Sequence, residues 1–364
     1  MKPDLDQFKF RDDDKAEQIV DEIRDSDREI KLMHVCGTHQ DTLVKHGLEP
    51  MLEDVGVEIV QGPGCPVCVT TQREIEEMIE LARDGKTIAV FGDMINVPGE
   101  EKTLSEIRSE GANVEIVYSV DDAVELAEKR DEEIVFMSVG FETTVPATAN
   151  VIAHEPPENF SILACNRVIP PALKAILEMG EVDLDGLIEP GHVSTIIGSK
   201  PYEPISENYS IPQVIAGFEP LDLLMGVLML LRQVEEGRAE VENEYDRVVR
   251  KEGNRKAKEV IEEVFQPRDV EWRGFPEIPD SGLKLRDRYE KYSARKKFSD
   301  VLDSLEGKEF SEPEGCLCGG VLRGVIESEE CELFGEECTP SNPVGPCMVS
   351  REGACNIAYR YTSK

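Results

Sequence analysis

Apolar residues along this chain alternate between two periods. Ala16, Ile19, Val20 and Ile23 fall at helical spacing, so residues 13–27 are expected to open the fold as an amphipathic helix. Ile30–Val35 (IKLMHV) reads as a short strand ending directly at Cys36, and Val57–Val60 (VEIV) as another, followed by GPGCPVC. A helix is expected from Thr70 or Thr71 to about Arg83, with acidic residues in its first turn. Ile88–Phe91, Val114–Tyr118, Ile134–Ser138 and Ser161–Ala164 are further β-rich runs, and one more apolar run ends near Gly191. Helical patterns near 101–110, 121–129 and 171–179 separate them.

Strand and helix alternating at this spacing imply parallel sheets with crossover helices, an α/β class. The expectation is two Rossmann-like parallel-sheet α/β domains, 13–119 and 120–235, and a small C-terminal domain, 236–364, whose six cysteines in the last fifty residues suggest an iron–sulfur site. PLDLLMGVLMLLRQVEEG is a strong helix, and the charged stretch 239–265 suggests a second long one. Residues 266–315 mix Pro, Gly and charge and read as irregular chain on the surface. The last fifty residues are too few for a core of their own, so a bound cluster is expected to staple them.

Composition narrows the function. The 364 residues suffice for two or three domains. Against 40 Lys and Arg stand 75 Asp and Glu, a formal charge of −35. Nucleic-acid affinity rests on Lys and Arg displacing counterions, so a phosphate-tracking surface is excluded, and an anionic bilayer would repel the chain as well. The charge is consistent with a salt-rich cytoplasm, where screening weakens self-repulsion. The most apolar stretch, Leu223–Leu231, has nine residues, against the ~20 of a membrane helix. The opening MKPDLDQFKFRDDD lacks the apolar core of an export signal, so a cytoplasmic location is expected.

Ten cysteines in an unexported chain point to metal ligation or redox chemistry rather than a disulfide framework. Cys165 stands alone and reads as a small buried hydrophobe. Cys36, in HVCGTHQ, and Cys65 and Cys68, in GPGCPVCVT, each follow a predicted strand. In open parallel sheets ligands bind beyond the carboxyl ends of the strands, so three thiols would share one crevice if the strands share a sheet. Thr38 and Thr70 are expected to cap the following helices, whose positive ends favour thiolate. Gly62, Gly64 and Pro66 suit a tight loop. His39 would face the same space as acid, base or ligand, or else simply pack. Two other strand ends are GFETT (Gly140–Thr144) and GHVS (Gly191–Ser194). In the first, a turn capped by Thr143 or Thr144 is the simpler reading and Glu142 the functional candidate. Asp93, in FGDMINVPG, reads as a turn residue.

The six late cysteines, Cys316, Cys318, Cys331, Cys338, Cys347 and Cys355, contain no C-x-x-C pair of the zinc-ribbon kind. Four thiolates around an iron–sulfur cube are the natural alternative. Spacing alone does not say which two are left over, nor whether that pair is a disulfide able to exchange electrons with the cluster or two spare thiols.

CGTHQ, GPGCPVCVT, GFETT, GHVS and GFEPLD stand in the order seen in the HypD family of [NiFe]-hydrogenase maturation proteins, and the chain resembles that family from about residue 13 to 362. The spacing of Cys316, Cys331, Cys338 and Cys355 also matches the family's cluster pattern. The resemblance implies two α/β domains and a cluster-bearing C-terminal domain. It implies a scaffold that, with a small HypC-type chaperone, holds an iron centre acquiring two cyanides and one carbon monoxide. A HypE-type protein would donate the cyanide, and the hydrogenase large subunit would receive the finished Fe(CN)₂CO unit.

By the same resemblance Cys36 is the iron ligand, Cys65 and Cys68 are redox groups or alternate ligands, and His39 lies beside the iron. Cys316, Cys331, Cys338 and Cys355 would hold a [4Fe–4S] cluster. Cys318 and Cys347 would be the spare pair, similar to the disulfide beside the cluster of ferredoxin–thioredoxin reductase. Low-spin iron with cyanide and carbon monoxide is a soft centre, for which thiolate is the matching ligand. The implied electron order is cluster, Cys318–Cys347, Cys65–Cys68, iron on Cys36. A competing reading is a cluster-dependent thiol–disulfide reductase acting on protein partners. A structural zinc site of Cys36, His39, Cys65 and Cys68 is a third. Neither GxGxxG nor a P-loop lysine motif is present to support nucleotide binding.

Overall fold

The computed structural model describes residues 12–362 apart from Asp27. Most of the opening MKPDLDQFKFRDDD and the last residue expected for the first helix lie outside the described residues. That helix runs from Asp13 to Arg24, capped by the Asp12 side chain.

Eleven strands follow among the described residues: β1 (Ile30–His34), β2 (Val57–Gln61), β3 (Thr87–Val90), β4 (Val114–Ile116), β5 (Ile134–Gly140), β6 (Phe160–Asn166), β7 (Gly186–Pro190), β8 (Gln213–Ala216), β9 (Val241–Asn243), β10 (Phe265–Glu271) and β11 (Glu277–Leu285). Two sheets are wholly parallel, as the alternation of elements implies. One has the order β2-β1-β7-β8-β9 and the other β4-β3-β5-β6.

The sheets do not divide the chain near residue 119. β3 and β4 pair with β5 and β6, and β7 returns to lie beside β1, with Leu32 opposite Gly186. The first sheet is therefore built from two separated stretches of chain, with the second inserted between them. Hydrophobic periodicity says that a segment is a strand but not which strand it joins.

Local chemistry sets the helix starts. Thr71 and Glu74 form a capping box on helix Gln72–Arg83, Thr103 and Glu106 on Leu104–Ser109, and Ser119 and Asp122 on Val120–Lys129. The expected strong helix is Pro220–Glu236, and it buries Leu223, Leu224, Val227 and Leu230 against the first sheet. It stops at Gly237, whose φ of 64° lies in the left-handed region that a glycine adopts freely.

Two readings of the following chain change. Residues 239–265 are not one long helix: β9 extends the first sheet, and only Arg255–Val264, capped by Asn254, is helical. Residues 266–315 are not merely surface chain, because β10 and β11 form an antiparallel hairpin with an irregularity between Arg268 and Val270. Its buried Trp272 stacks on Phe141 at 5.8 Å, and the neighbouring Arg273 donates from its backbone N–H to Val69 O and from Nε to Thr70 O. The hairpin thus braces the chain that carries Cys65 and Cys68. The alternating burial of β10 was masked by charged residues on its outer face.

The C-terminal segment contributes the short helices Cys318–Leu322 and Pro346–Val349 and the longer Ala354–Thr362. They pack on helices Gly37–Lys45 and Pro66–Val69, so the cysteine-rich end closes over the strand ends of the first sheet. Among the described residues no helix is long and apolar enough to cross a membrane.

Candidate thiol crevice and cysteine pocket

β1 delivers Cys36 to the first turn of helix Gly37–Lys45, where it occupies the N-cap position without a side-chain capping bond. The loop after β2 lies directly against it: Gly37 N–H donates to Gly64 O at 3.3 Å, and a Cβ on Gly64 would overlap the backbone of Cys36. Gly64 is therefore required by close approach of two backbones. Cys65 caps helix Pro66–Val69 by accepting from Cys68 N–H at 3.2 Å. Cys65 and Cys68 form a disulfide with a Cα–Cα separation of 5.2 Å, and both are wholly buried.

Cys36 itself holds the helix-start position expected of Thr38, Cys65 starts the unexpected short helix Pro66–Val69, and Thr71 rather than Thr70 caps the helix after it. Thr38 lies inside its helix, and Thr70 ends Pro66–Val69 with its hydroxyl donating to Pro66 O. The expected bias toward thiolate is also reversed at Cys36. Burial pushes its thiol up to about 12, and the N–H groups of His39 and Thr38 offset this only in part. Desolvation outweighs the helix end because the sulfur is almost entirely enclosed.

Adjacent strand ends complete the crevice. β7 leads into helix Gly191–Ile197, and His192 in its first turn places Nδ1 3.8 Å from Cys36 Sγ. Phe218, just beyond β8, packs against both His192 and His39, each with ring centroids 5.3 Å away. His39 is fully buried with both ring nitrogens unpartnered, and its ring meets Phe218 and His34. Burial lowers His39 to about 3 and His34 and His192 to about 4, so all three are neutral near pH 7. His192 is the residue that sequence reasoning did not select. The signal was its place in a strand-end motif, which becomes informative once β7 is known to lie beside β1.

Glu142 belongs to the other sheet. Its Oε1 accepts from Ile169 N–H at 2.9 Å, its Oε2 has no partner, and burial lifts its carboxyl to about 7. Asp93 is more than a turn residue: its Oδ2 accepts from Ser350 Oγ, tying the C-terminal segment to the second sheet. A Cβ on Gly37 would overlap Glu352, so that segment also presses on the crevice. Cys165 is buried elsewhere, 3.7 Å from an Arg295 nitrogen.

The remaining cysteines gather in the C-terminal unit, all as free thiols. Cys316, Cys318, Cys331, Cys338 and Cys355 line one small pocket, whose other walls are apolar side chains and Gly345. Cys316 and Cys318 sulfurs are 3.3 Å apart. Cys318 and Cys347 share hydrogen bonds with each other and with Cys355, so the spare pair are neighbours but are not joined. Bonds from Cys318 and Cys347 draw the Cys355 thiol well below its ordinary range, whereas its bond with Cys318 and burial push Cys316 up. The pocket adjoins the crevice, since Cys68 Sγ lies 4.0 Å from the carbonyl oxygen of Pro346, the residue before Cys347.

Among the described residues, no three His, Cys, Asp or Glu side chains form a group able to hold a single metal ion. The donor chemistry of the pocket still fits an iron–sulfur cluster: sulfur atoms alone face an apolar space, without a carboxylate or a cation among its walls.

A family model described as HypD, hydrogenase formation hypA family, matches residues 14–362. The chain is 48% identical over 353 residues to a putative hydrogenase expression/formation protein of Methanocaldococcus jannaschii, covering 95% of this chain and 96% of that protein. It is 44% identical over 368 residues to the hydrogenase expression/formation protein HupD of Azotobacter chroococcum mcd 1, covering 97% and 95%. It is 41% identical over 366 residues to the hydrogenase maturation factor HypD of Rhodobacter capsulatus, covering 97% of each. Matched over almost its whole length and carrying the thiol motifs at the expected strand ends, the chain belongs to the HypD family of hydrogenase maturation factors.

Proposed function

We propose that the crevice at Cys36 is where iron is held while cyanide and carbon monoxide are attached, with a HypC-type chaperone supplying a second thiolate. The observation that supports this most is the contact series linking the two thiol sites: Cys36 against the Gly64 loop, the Cys65–Cys68 disulfide beside Pro346, and Cys347 in contact with Cys318.

A [4Fe–4S] cluster held by Cys316, Cys331, Cys338 and Cys355 would supply one-electron steps when bound. Cys318, in the wall of that pocket, meets Cys347, which follows the Pro346 beside Cys68, and the two would take part in thiol–disulfide exchange. Cys65 and Cys68 would pass reducing equivalents to a thiocyanate-type group brought by a HypE-type donor. Cys36 supplies the soft ligand that low-spin iron prefers. Neutral His192 and His39 with Phe218 shape the wall around that sulfur and keep bulk water from it. The finished Fe(CN)₂CO unit would pass to the hydrogenase large subunit, and the work is that of a cytoplasmic scaffold.

An infrared spectrum of the protein copurified anaerobically with its small partner tests this. Cyanide and carbonyl stretches are expected, lost in Cys36→Ala. Cys65→Ser should leave the cluster absorption intact and stop ligand assembly. The crossing of a disulfide and two free thiols at Pro346 also suits a thiol–disulfide reductase acting on protein partners. Absent stretches with the cluster intact and the partner bound would favour that second reading.

A further inference from the structure

A chain of hydrogen bonds runs from the peptide of Cys36 out to a groove on the surface. His34 ends β1 with its ring completely buried, and its carbonyl oxygen accepts from Gly62 N–H at 2.8 Å. The Cys36 N–H donates to His34 Nδ1 at 3.4 Å. On the other side of the ring, His34 Nε2 lies 2.6 Å from Oε1 of Gln40, which belongs to the helix that Cys36 starts. Gln40 Nε2 in turn donates at 2.8 Å to Oε1 of Glu49, in helix Leu48–Glu53. Gln40 and Glu49 stand in the wall of a groove between β2 and the C-terminal segment. None of the three side chains belongs to the proposed ligand sets or to a redox pair.

We propose that Glu49 and Gln40 are positioning residues for Cys36: they hold the His34 ring in the tautomer protonated at Nε2, whose bare Nδ1 fixes the Cys36 peptide. The direction of each bond follows from the outer end of the chain. An ionised carboxylate only accepts, so Glu49 takes the amide N–H of Gln40 and leaves the Gln40 oxygen facing His34. That oxygen also only accepts, so His34 Nε2 carries the proton and Nδ1 has a lone pair for the Cys36 N–H. In the other tautomer Nδ1–H would meet Cys36 N–H donor to donor, and a buried N–H would lose its acceptor. The pairing of His34 O with Gly62 and the contact of Gly64 with the Cys36 backbone hold the chain on either side. Relief would come from turning the Cys36 peptide, and Sγ would turn with it, away from its place 3.8 Å from His192 Nδ1. Burial, and after it the neighbouring Glu327, Glu53 and Glu329, push the Glu49 carboxyl up to about 7, against the Gln40 bond, so the chain is fully directed above that pH.

This rests on the proposed function only in taking Cys36 as the iron ligand. The test reverses the polarity of the chain, on the alkaline side of pH 7. Long-range proton–nitrogen NMR spectra of the full chain, labelled at its five histidines, show which ring nitrogen carries the proton, with His34 assigned by elimination against variants of the other four. The native ring is expected to carry it at Nε2. Glu49→Lys puts a donor where the acceptor was, so Gln40 turns its amide over and His34 moves to the Nδ1 form. Adding Gln40→Glu, which accepts from both neighbours, restores the Nε2 form. Should Glu49→Lys not fold, Gln40→Lys brings a donor to His34 Nε2 directly and gives the same reversal. In the anaerobic complex with the small partner, cyanide and carbonyl stretches are expected to weaken at least about tenfold in the reversed variant and to recover in the double variant. A native ring protonated at Nδ1, an unmoved proton in the Lys variants, no recovery in the double variant, or full-strength stretches beside a reversed ring would each overturn the inference. Failure of the iron-scaffold reading shows separately: the ring proton is read without iron, and the stretches would be missing from the native chain or survive in Cys36→Ala.

Discussion

The thiol crevice and the cysteine pocket hold the same functional group in opposite ways. In the crevice, backbone places the sulfurs: β1, β2 and β7 end side by side, Gly64 touches the Cys36 backbone, and the hairpin braces the chain after Cys68. In the pocket no sheet is present, four of the five thiols sit on loops or a helix of five residues, and the fifth, Cys355, opens helix Ala354–Thr362. A crevice made by paired strands is shaped before any ligand arrives. A pocket made by loops and short helices is of the kind that a bound group would hold in shape.

Glycine substitution breaks this comparison most sharply. Gly64→Ala should cost about 3 kcal/mol, because the added Cβ meets the rigid backbone of Cys36. Gly345→Ala should cost only about 1 kcal/mol, because its Cβ meets the Cys316 and Cys318 sulfurs, which can rotate away. Denaturant midpoints of the two variants measure the gap, and equal costs would mean that the pocket is as preformed as the crevice.

Stripping metal under anaerobic conditions should come next in effect. Amide exchange across residues 316–355 is expected to rise about a hundredfold, equivalent to about 2.7 kcal/mol, while β1 and β7 keep their protection. Uniform acceleration over both regions would contradict the division.

The smallest effect is on pH dependence. Glu142 binds its proton more tightly folded than unfolded, so its contribution is fully present below the ordinary carboxylate pKa. It is lost as pH rises from there to about 7, at no more than roughly 1.4 kcal/mol per pH unit. Glu142→Gln, which keeps an acceptor for Ile169 N–H, should flatten the stability curve in that window. His39 acts with the opposite sign, its contribution being lost as pH falls from about 6.5 toward about 3. The native pH profile compared with that of Glu142→Gln separates the two.

Much of this was legible in residue order. Cys36 and the CPVC loop are at strand ends, Thr71 begins its helix, and the two parallel sheets follow from alternating periods. The place of His192 was not legible, because it depends on β7 pairing with β1 across some 150 residues, as in the contact of Leu32 with Gly186. The helical reading of 239–265 failed at Gly253 and Asn254, whose turn and cap split that stretch.

The sequence by itself determined most strands and helices as far as Glu236 and where the thiols of the crevice lie along them, since periodicity, caps and glycines act within a few residues. Only the tertiary structure decided which strands share a sheet, which histidine meets Cys36, and that the Cys36 thiol sits high despite its helix end. The physical reason is range: capping and alternation are local, whereas strand pairing and desolvation depend on what the rest of the chain places nearby.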